Sequence, residues 1–139
     1  MEDLKQTLLQ ESLTCIVSQD NILHKEHANG ILPLLHFIDE HWLKHAIVVD
    51  KVIGKAAAML MVYGHVKQVH AITISEHALA VFHQHNIPIT YDNLVPFIIN
   101  RNKDGMCPME QTVLNCQSIE EAYQLLQEKV VEMTNRKTA

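Results

Sequence analysis

The chain has 139 residues, 47% of them hydrophobic and 19% charged, with a formal net charge of -5. That length suits one domain, and no stretch loses its apolar content as a linker would, so a single domain over residues 1–139 is expected to bury roughly two thirds of its unfolded surface. The eleven Lys and Arg are scattered, without the basic stripe of a nucleic-acid binder, and no run nears the ~18 apolar residues of a membrane span, so neither nucleic acid nor membrane is an expected partner.

The opening MEDLKQTLLQES has no apolar run behind a basic region, and a cytoplasmic protein is expected. Cys15, Cys107 and Cys116 are odd in number and unrelated in spacing, which argues for reduced thiols. Leu4, Leu8 and Leu9 predict a short amphipathic helix over Asp3–Gln10. Leu13–Ser18 and Ile22–His27 flank the turn cluster Gln19-Asp20-Asn21 and read as a hairpin. Pro33–Glu40 is a helix with Leu34, Leu35, Phe37 and Ile38 on its buried face, and His45–Val49 is a strand covered on both faces.

Asp50 then fits an N-cap, followed by a helix apolar nearly all round over Val52–Tyr63 and closed by Gly64. Val69–Ile74 is the next strand, Ser75 caps a helix through His85, and Ile89–Tyr91 is a final strand. This alternation predicts βαβ units on a mainly parallel sheet inside a three-layer α/β/α sandwich. Pro108 opens a further helix, and Ser118-Ile-Glu-Glu121 is a capping box for Ile119–Met133, with a frayed end after it. Its stripe of Ala122, Leu125, Leu126, Lys129 and Val130 faces the body.

Three segments, AIVVDKVIGKAAAML, ITISEHAL and LVPFIINRNKDGMCPMEQTV, resemble signature blocks of DUF1893, a bacterial family of unknown function assigned to the cytidine deaminase-like superfamily. The resemblance rests on Asp50-Lys51-x-x-Gly54-Lys55 and on Asn100-Arg101-x-x-Asp104-Gly-Met-Cys107-Pro-Met-Glu110. It implies a cytidine deaminase-like sandwich around a mixed sheet of about five strands. Deaminases of that superfamily carry H-x-E at the start of the central helix and P-C-x-x-C at the next, because three ligands must hold zinc while the Glu moves protons. Here those positions fall near Gly54-Lys55-Ala56 and Ser75-Glu76-His77-Ala78-Leu79 and supply none of the zinc ligands, so no cofactor is expected. Of the ten histidines, His41 with His45, or His77 with His83 and His85, could be combined by hand. No such pair has the carboxylate partner of an H-E-x-x-H site, and these are read as surface residues.

Ligands of open α/β sheets sit outside the carboxyl ends of parallel strands. Asp50-Lys51 and Ser75-Glu76 follow two such strands and are expected to cluster, with Gly54 beside them and the loop bearing Asn100, Arg101 and Asp104 folding over as a lid. Lys51 and Lys55, four apart, are placed on one side of the central helix near its N-terminus, which favours a small anionic or nucleotide-like metabolite. Asp50 reads equally well as a plain cap, and Lys55 as a side chain that buries only its stem. Cys107 before Pro108 is an N-cap thiol poised for activation, with Glu110 or Glu76 as proton acceptor, or simply a small capping residue. Cys15 and Cys116 are read as packing residues.

Three classes remain open: a zinc-independent enzyme using Cys107 and Lys55, a non-catalytic binding or regulatory module, and a zinc-dependent deaminase-type hydrolase with displaced ligands. The apolar surface around Trp42 leaves room for a homo-oligomer.

Overall fold

A computed structural model of the chain describes residues 2–98 and 108–138, with side chains through 133. The elements run α1 (Glu2–Gln10), β1 (Cys15–Gln19), β2 (Ile22–Glu26), α2 (Leu32–Asp39), β3 (Ile47–Ile53), α3 (Lys55–Tyr63), β4 (Gln68–Ser75), α4 (Glu76–Gln84), β5 (Ile89–Val95), α5 (Pro108–Val113) and α6 (Ile119–Thr138). The five strands form one mixed sheet in the order β2-β1-β3-β4-β5. β1 is antiparallel to β2 and β3, while β3, β4 and β5 run parallel, with α3 and α4 as the connections between them. Asp20 and Asn21, both at positive φ, make the two-residue turn between β1 and β2.

Alternation along the strands splits the core into two faces. Val17, Val48, Val69 and Ala71 join the large cluster with α2 to α6, whereas Ile16 and Val49 join Leu4, Leu8 and Leu13 under α1. These are the layers of an α/β/α sandwich. At its centre lies α3, whose residues Ala56 to Met61 are all buried, with α2, α4, α5 and α6 packed around it. Three successive alanines give that helix a surface slim enough for such close neighbours. On the α1 face, His70 contacts Thr90 Oγ1 through Nδ1 at 2.6 Å, and Asp92 reaches from β5 to Lys5 Nζ at 2.7 Å. His70 Nε2 is buried 3.4 Å from Asp92 Oδ1, without a well-aligned hydrogen bond.

Several boundaries depart from the sequence reading. Asp50 is not a helix cap and Val52 does not open α3: β3 continues to Ile53, and Asp50 sits inside it, in register with Cys15 on β1 and Ala71 on β4. The β-branched pair Val52-Ile53 gains a parallel ladder against Thr73 and Ile74, which a helix start would forgo. α3 begins at Lys55, with Gly54 as its N-cap. β5 likewise runs past Tyr91 to Val95, and α6 extends beyond Met133 to Thr138. Ser75 does cap α4, accepting from Ala78 N–H at 3.1 Å. Trp42 lies after α2, half-buried and stacked on His24 with ring centroids 4.0 Å apart.

Gly64 ends α3 in a right-handed conformation, and the left-handed residue is His65. Glycine serves a different purpose there: a Cβ would meet the Leu43 side chain at 2.7 Å. The same closure recurs on α1, α2 and α4, with Ser12, His41 and Asn86 left-handed. In each, the following apolar N–H bonds back to a buried residue of the last turn: Leu13 to Leu8, Trp42 to Phe37, Val66 to Met61 and Ile87 to Phe82. A side chain in that conformation costs on the order of 1 kcal/mol. Replacing His41 or His65 by glycine should therefore raise stability by about 0.5–1 kcal/mol each in urea melts, despite the entropy glycine adds to the unfolded chain; a loss at both sites would contradict the assignment.

Candidate functional site

Where β1, β3 and α3 meet α2, α5 and α6, they enclose a cavity of about 810 Å³. The strand pair contributes Cys15 and Asp50, the turn into α3 contributes Gly54 and Ala56, and α5 contributes Met109 and Glu110. Residues 28–34 ahead of and within α2, with Val130 and Met133 of α6, complete a largely apolar wall.

Glu110 is 7% exposed, and its carboxylate caps α3 from a different helix. Oε1 accepts the Lys55 N–H at 2.6 Å and Oε2 the Ala56 N–H at 2.7 Å. Both bonds are charge-assisted, at the helix end where the dipole favours a negative charge. Gly54 makes this approach feasible, since a Cβ there would overlap the carboxylate. Lys55 holds α5 a second time, donating through Nζ to the Leu114 carbonyl at 2.8 Å.

Asp50 presents a partly buried carboxyl to the cavity. Burial pushes its pKa up to about 7, opposed by the Val52 and Lys51 N–H groups and by the Cys15 thiol, which faces it across the antiparallel pair. Cys15 is raised well above the ordinary thiol range, first by burial, then by the Asp50 charge and their hydrogen bond, and by Glu26. It is therefore a protonated donor to Asp50 at neutral pH.

The structure thus brings Asp50, Lys51, Gly54 and Glu110 around one cavity. Lys51 is an exposed residue of β3, not of the helix, so it does not share a helix side with Lys55. Glu110 caps α3, and Cys107, for which it is the expected proton acceptor, lies outside the described residues. Ser75 and Glu76 do not join Asp50 and Lys51, because Asp50 pairs with Ala71, four residues before Ser75 on β4. Ser75 is fully buried in its capping role, and Glu76 is exposed. Asn100, Arg101, Asp104 and Cys107, with the expected lid, lie outside the described residues. His41, His45, His77, His83 and His85 are exposed, and no group of three His, Cys, Asp or Glu among the described residues is placed to hold a metal ion. Among the described residues, no helix is long and apolar enough to cross a membrane. Cys15 was missed as a cavity residue; its register with Asp50 becomes visible only once β3 is extended through Asp50.

The family model for a domain of unknown function, DUF1893, matches residues 3–130. The chain belongs to the DUF1893 family. A crystal structure of another DUF1893 family protein, TM1506 from Thermotoga maritima, superposes with a TM-score of 0.86 at 23% sequence identity, covering 92% of this chain and 88% of that one. No curated protein matches. The DUF1893 match spans both halves of the α3 clamp, Gly54-Lys55-Ala56 and Glu110.

Two predictions follow from this geometry. Gly54→Ala should cost about 2–4 kcal/mol, the loss of two hydrogen bonds to a charged group, but much less in a Glu110→Ala background. A double-mutant cycle by urea unfolding reads the coupling, and strictly additive costs would refute the contact. Asp50 holds its proton to about pH 7 when folded but releases it near 3.8 when unfolded. The folded state thus binds more protons between those values, and stability falls as pH rises through that window. Against Asp50→Asn, the parent should lose about 2–4 kcal/mol between pH 4 and 8, a figure reduced for the partial exposure of this carboxyl; parallel stability profiles would show that Asp50 titrates normally.

Proposed function

We propose that this protein binds a small organic molecule with a flat, nucleobase-like body in the cavity beside Asp50. The observation that carries this reading is the Asp50 carboxyl on the wall of a largely apolar cavity, where burial pushes its pKa up to about 7. Apolar walls with a few placed polar groups are the usual composition of a metabolite site. Methionines 109 and 133 would adapt to the ring, and Asp50 would pair with its polar edge.

The strand order and the position of the cavity at the start of α3 support a cytidine deaminase-like reading of the fold. The zinc of that superfamily does not fit the described residues: Gly54, Lys55 and Ala56 bear no ligand side chain, the first two α3 amides are taken by Glu110, and Glu76 and His77 at the start of α4 belong to no group of three His, Cys, Asp or Glu placed to hold a metal ion. No metal-dependent step is derived. As a zinc-independent enzyme, the protein would use Asp50 to exchange a proton with the ligand. Cys107, which precedes the cavity residue Pro108, would be its nucleophile. As a binding module it would return the ligand unchanged.

Amide NMR of the full chain with a panel of nucleobases and nucleosides tests the reading. Shifts should concentrate at Val52, Gly54, Ala56 and Met109; a panel that perturbs none of these, or perturbs only residues away from them, would refute it. Recovery of unchanged ligand by mass spectrometry would favour the module over the enzyme.

A further inference from the structure

We propose that the cavity selects a molecule presenting hydrogen-bond donors, above all an amidinium, guanidinium or protonated amine on a flat apolar body, and discriminates against carboxylates and phosphates. This inference rests on the cavity being a ligand site and concerns the charge of what enters it.

Two features at the start of α3 would ordinarily recruit an anion: the unpaired amides of a helix N-terminus and a nearby lysine. Neither stands open to the cavity in that way: the first two amides are capped, and Lys55 does not line the cavity. Glu110 takes the Lys55 and Ala56 amides with its two oxygens, and the Lys55 ammonium is held by the Leu114 carbonyl. An incoming carboxylate would have to displace a tethered one of equal charge, held by two short bonds. The Gly54 position leaves no room for both, since even a methyl group there would overlap Glu110.

Among the described residues the remaining charge is mainly of the opposite sign. Asp50 faces the cavity, Glu110 borders it, and Glu26 stands in register with Cys15 across the β1–β2 pair. Lys51, on an exposed stretch of β3, is the one cation lining the cavity among the described residues. Asp50 Oδ1 accepts from Val52 N–H at 3.3 Å, and the carboxyl also meets the Lys51 N–H and the weak Cys15 donor, all of them neutral groups. Its pKa is raised because this environment underserves a negative charge. A bound cation would supply what the protein withholds, and in low dielectric such a pairing is worth more than at the surface. The apolar wall from α2, α5 and α6 would take the flat body.

Benzamidine and benzoate share a shape and differ in charge, which makes them the discriminating pair. Isothermal titration on the full chain at pH 7.5, with amide NMR to locate the contacts, should show benzamidine binding about tenfold or more tightly than benzoate, with shifts at Val52 and Gly54. Asp50→Asn should remove that preference. Should this variant not fold, the parent carries the test alone: benzamidine affinity should weaken about tenfold from pH 8 to pH 6 as Asp50 protonates. Benzoate or inorganic phosphate binding in the cavity as tightly as benzamidine, or a benzamidine affinity flat across that range, would overturn the charge assignment and leave the ligand site standing. Binding of both probes away from Val52 and Gly54 would overturn the two together.

Discussion

The sandwich turns on the contact between the Glu110 carboxylate and the first two amides of α3. α3 is the most enclosed helix of the fold, and its N-terminus emerges where β3, the middle strand of the sheet, ends. A buried helix end with unpaired amides is costly, and water cannot serve it there at full value. The cap could not come from the chain immediately before α3, because Gly54 has no side chain. It comes from α5, more than fifty residues later. The electrostatic need of the central helix thereby fixes where the C-terminal region docks, and the docked α5 becomes one wall of the cavity.

The amino-acid pattern made the elements legible wherever a residue had a single local reason to be there. The Asp20-Asn21 turn, the Ser75 cap and the alternating βαβ succession all follow from local chemistry and stand in the structure. Asp50 misled because it had two: an aspartate before an apolar run is a good cap, yet IVVDKVI also supports a strand. The choice was made by β1 and β4, which offer ladder partners on both sides of β3, information absent from the local window. Gly64 gave the right boundary for a different reason, since it is needed for contact with Leu43 while His65 takes the strained conformation.

The candidate site was legible in part because its residues lie at ends of elements, where polar side chains are conspicuous. Lys51, Gly54 and Glu110 were visible in that way. Their roles were not, since a role depends on partners distant in sequence: Glu110 reads locally as an N3 residue of its own helix, and only docking reveals it as a cap for another. Cys15 looked like any small hydrophobe inside a strand. It acquires chemistry from the antiparallel register that sets it against Asp50, a pairing no spacing rule announces.

Asp50 and Glu110 show how one cavity can give two carboxylates opposite tasks. Glu110 meets two backbone donors and a helix dipole, so its charge is answered within the fold and it acts structurally. Asp50 stands in a strand, where its carboxyl meets neutral donors, the Val52 and Lys51 N–H groups and the Cys15 thiol. These do not offset its burial, and the raised pKa is the measure of that deficit. A desolvated acid whose partners do not compensate its burial destabilises the protein that carries it. Such a residue is suited to the wall of a cavity when something from solution supplies the missing charge, and this sets Asp50 apart from Glu110, whose charge the α3 amides already meet.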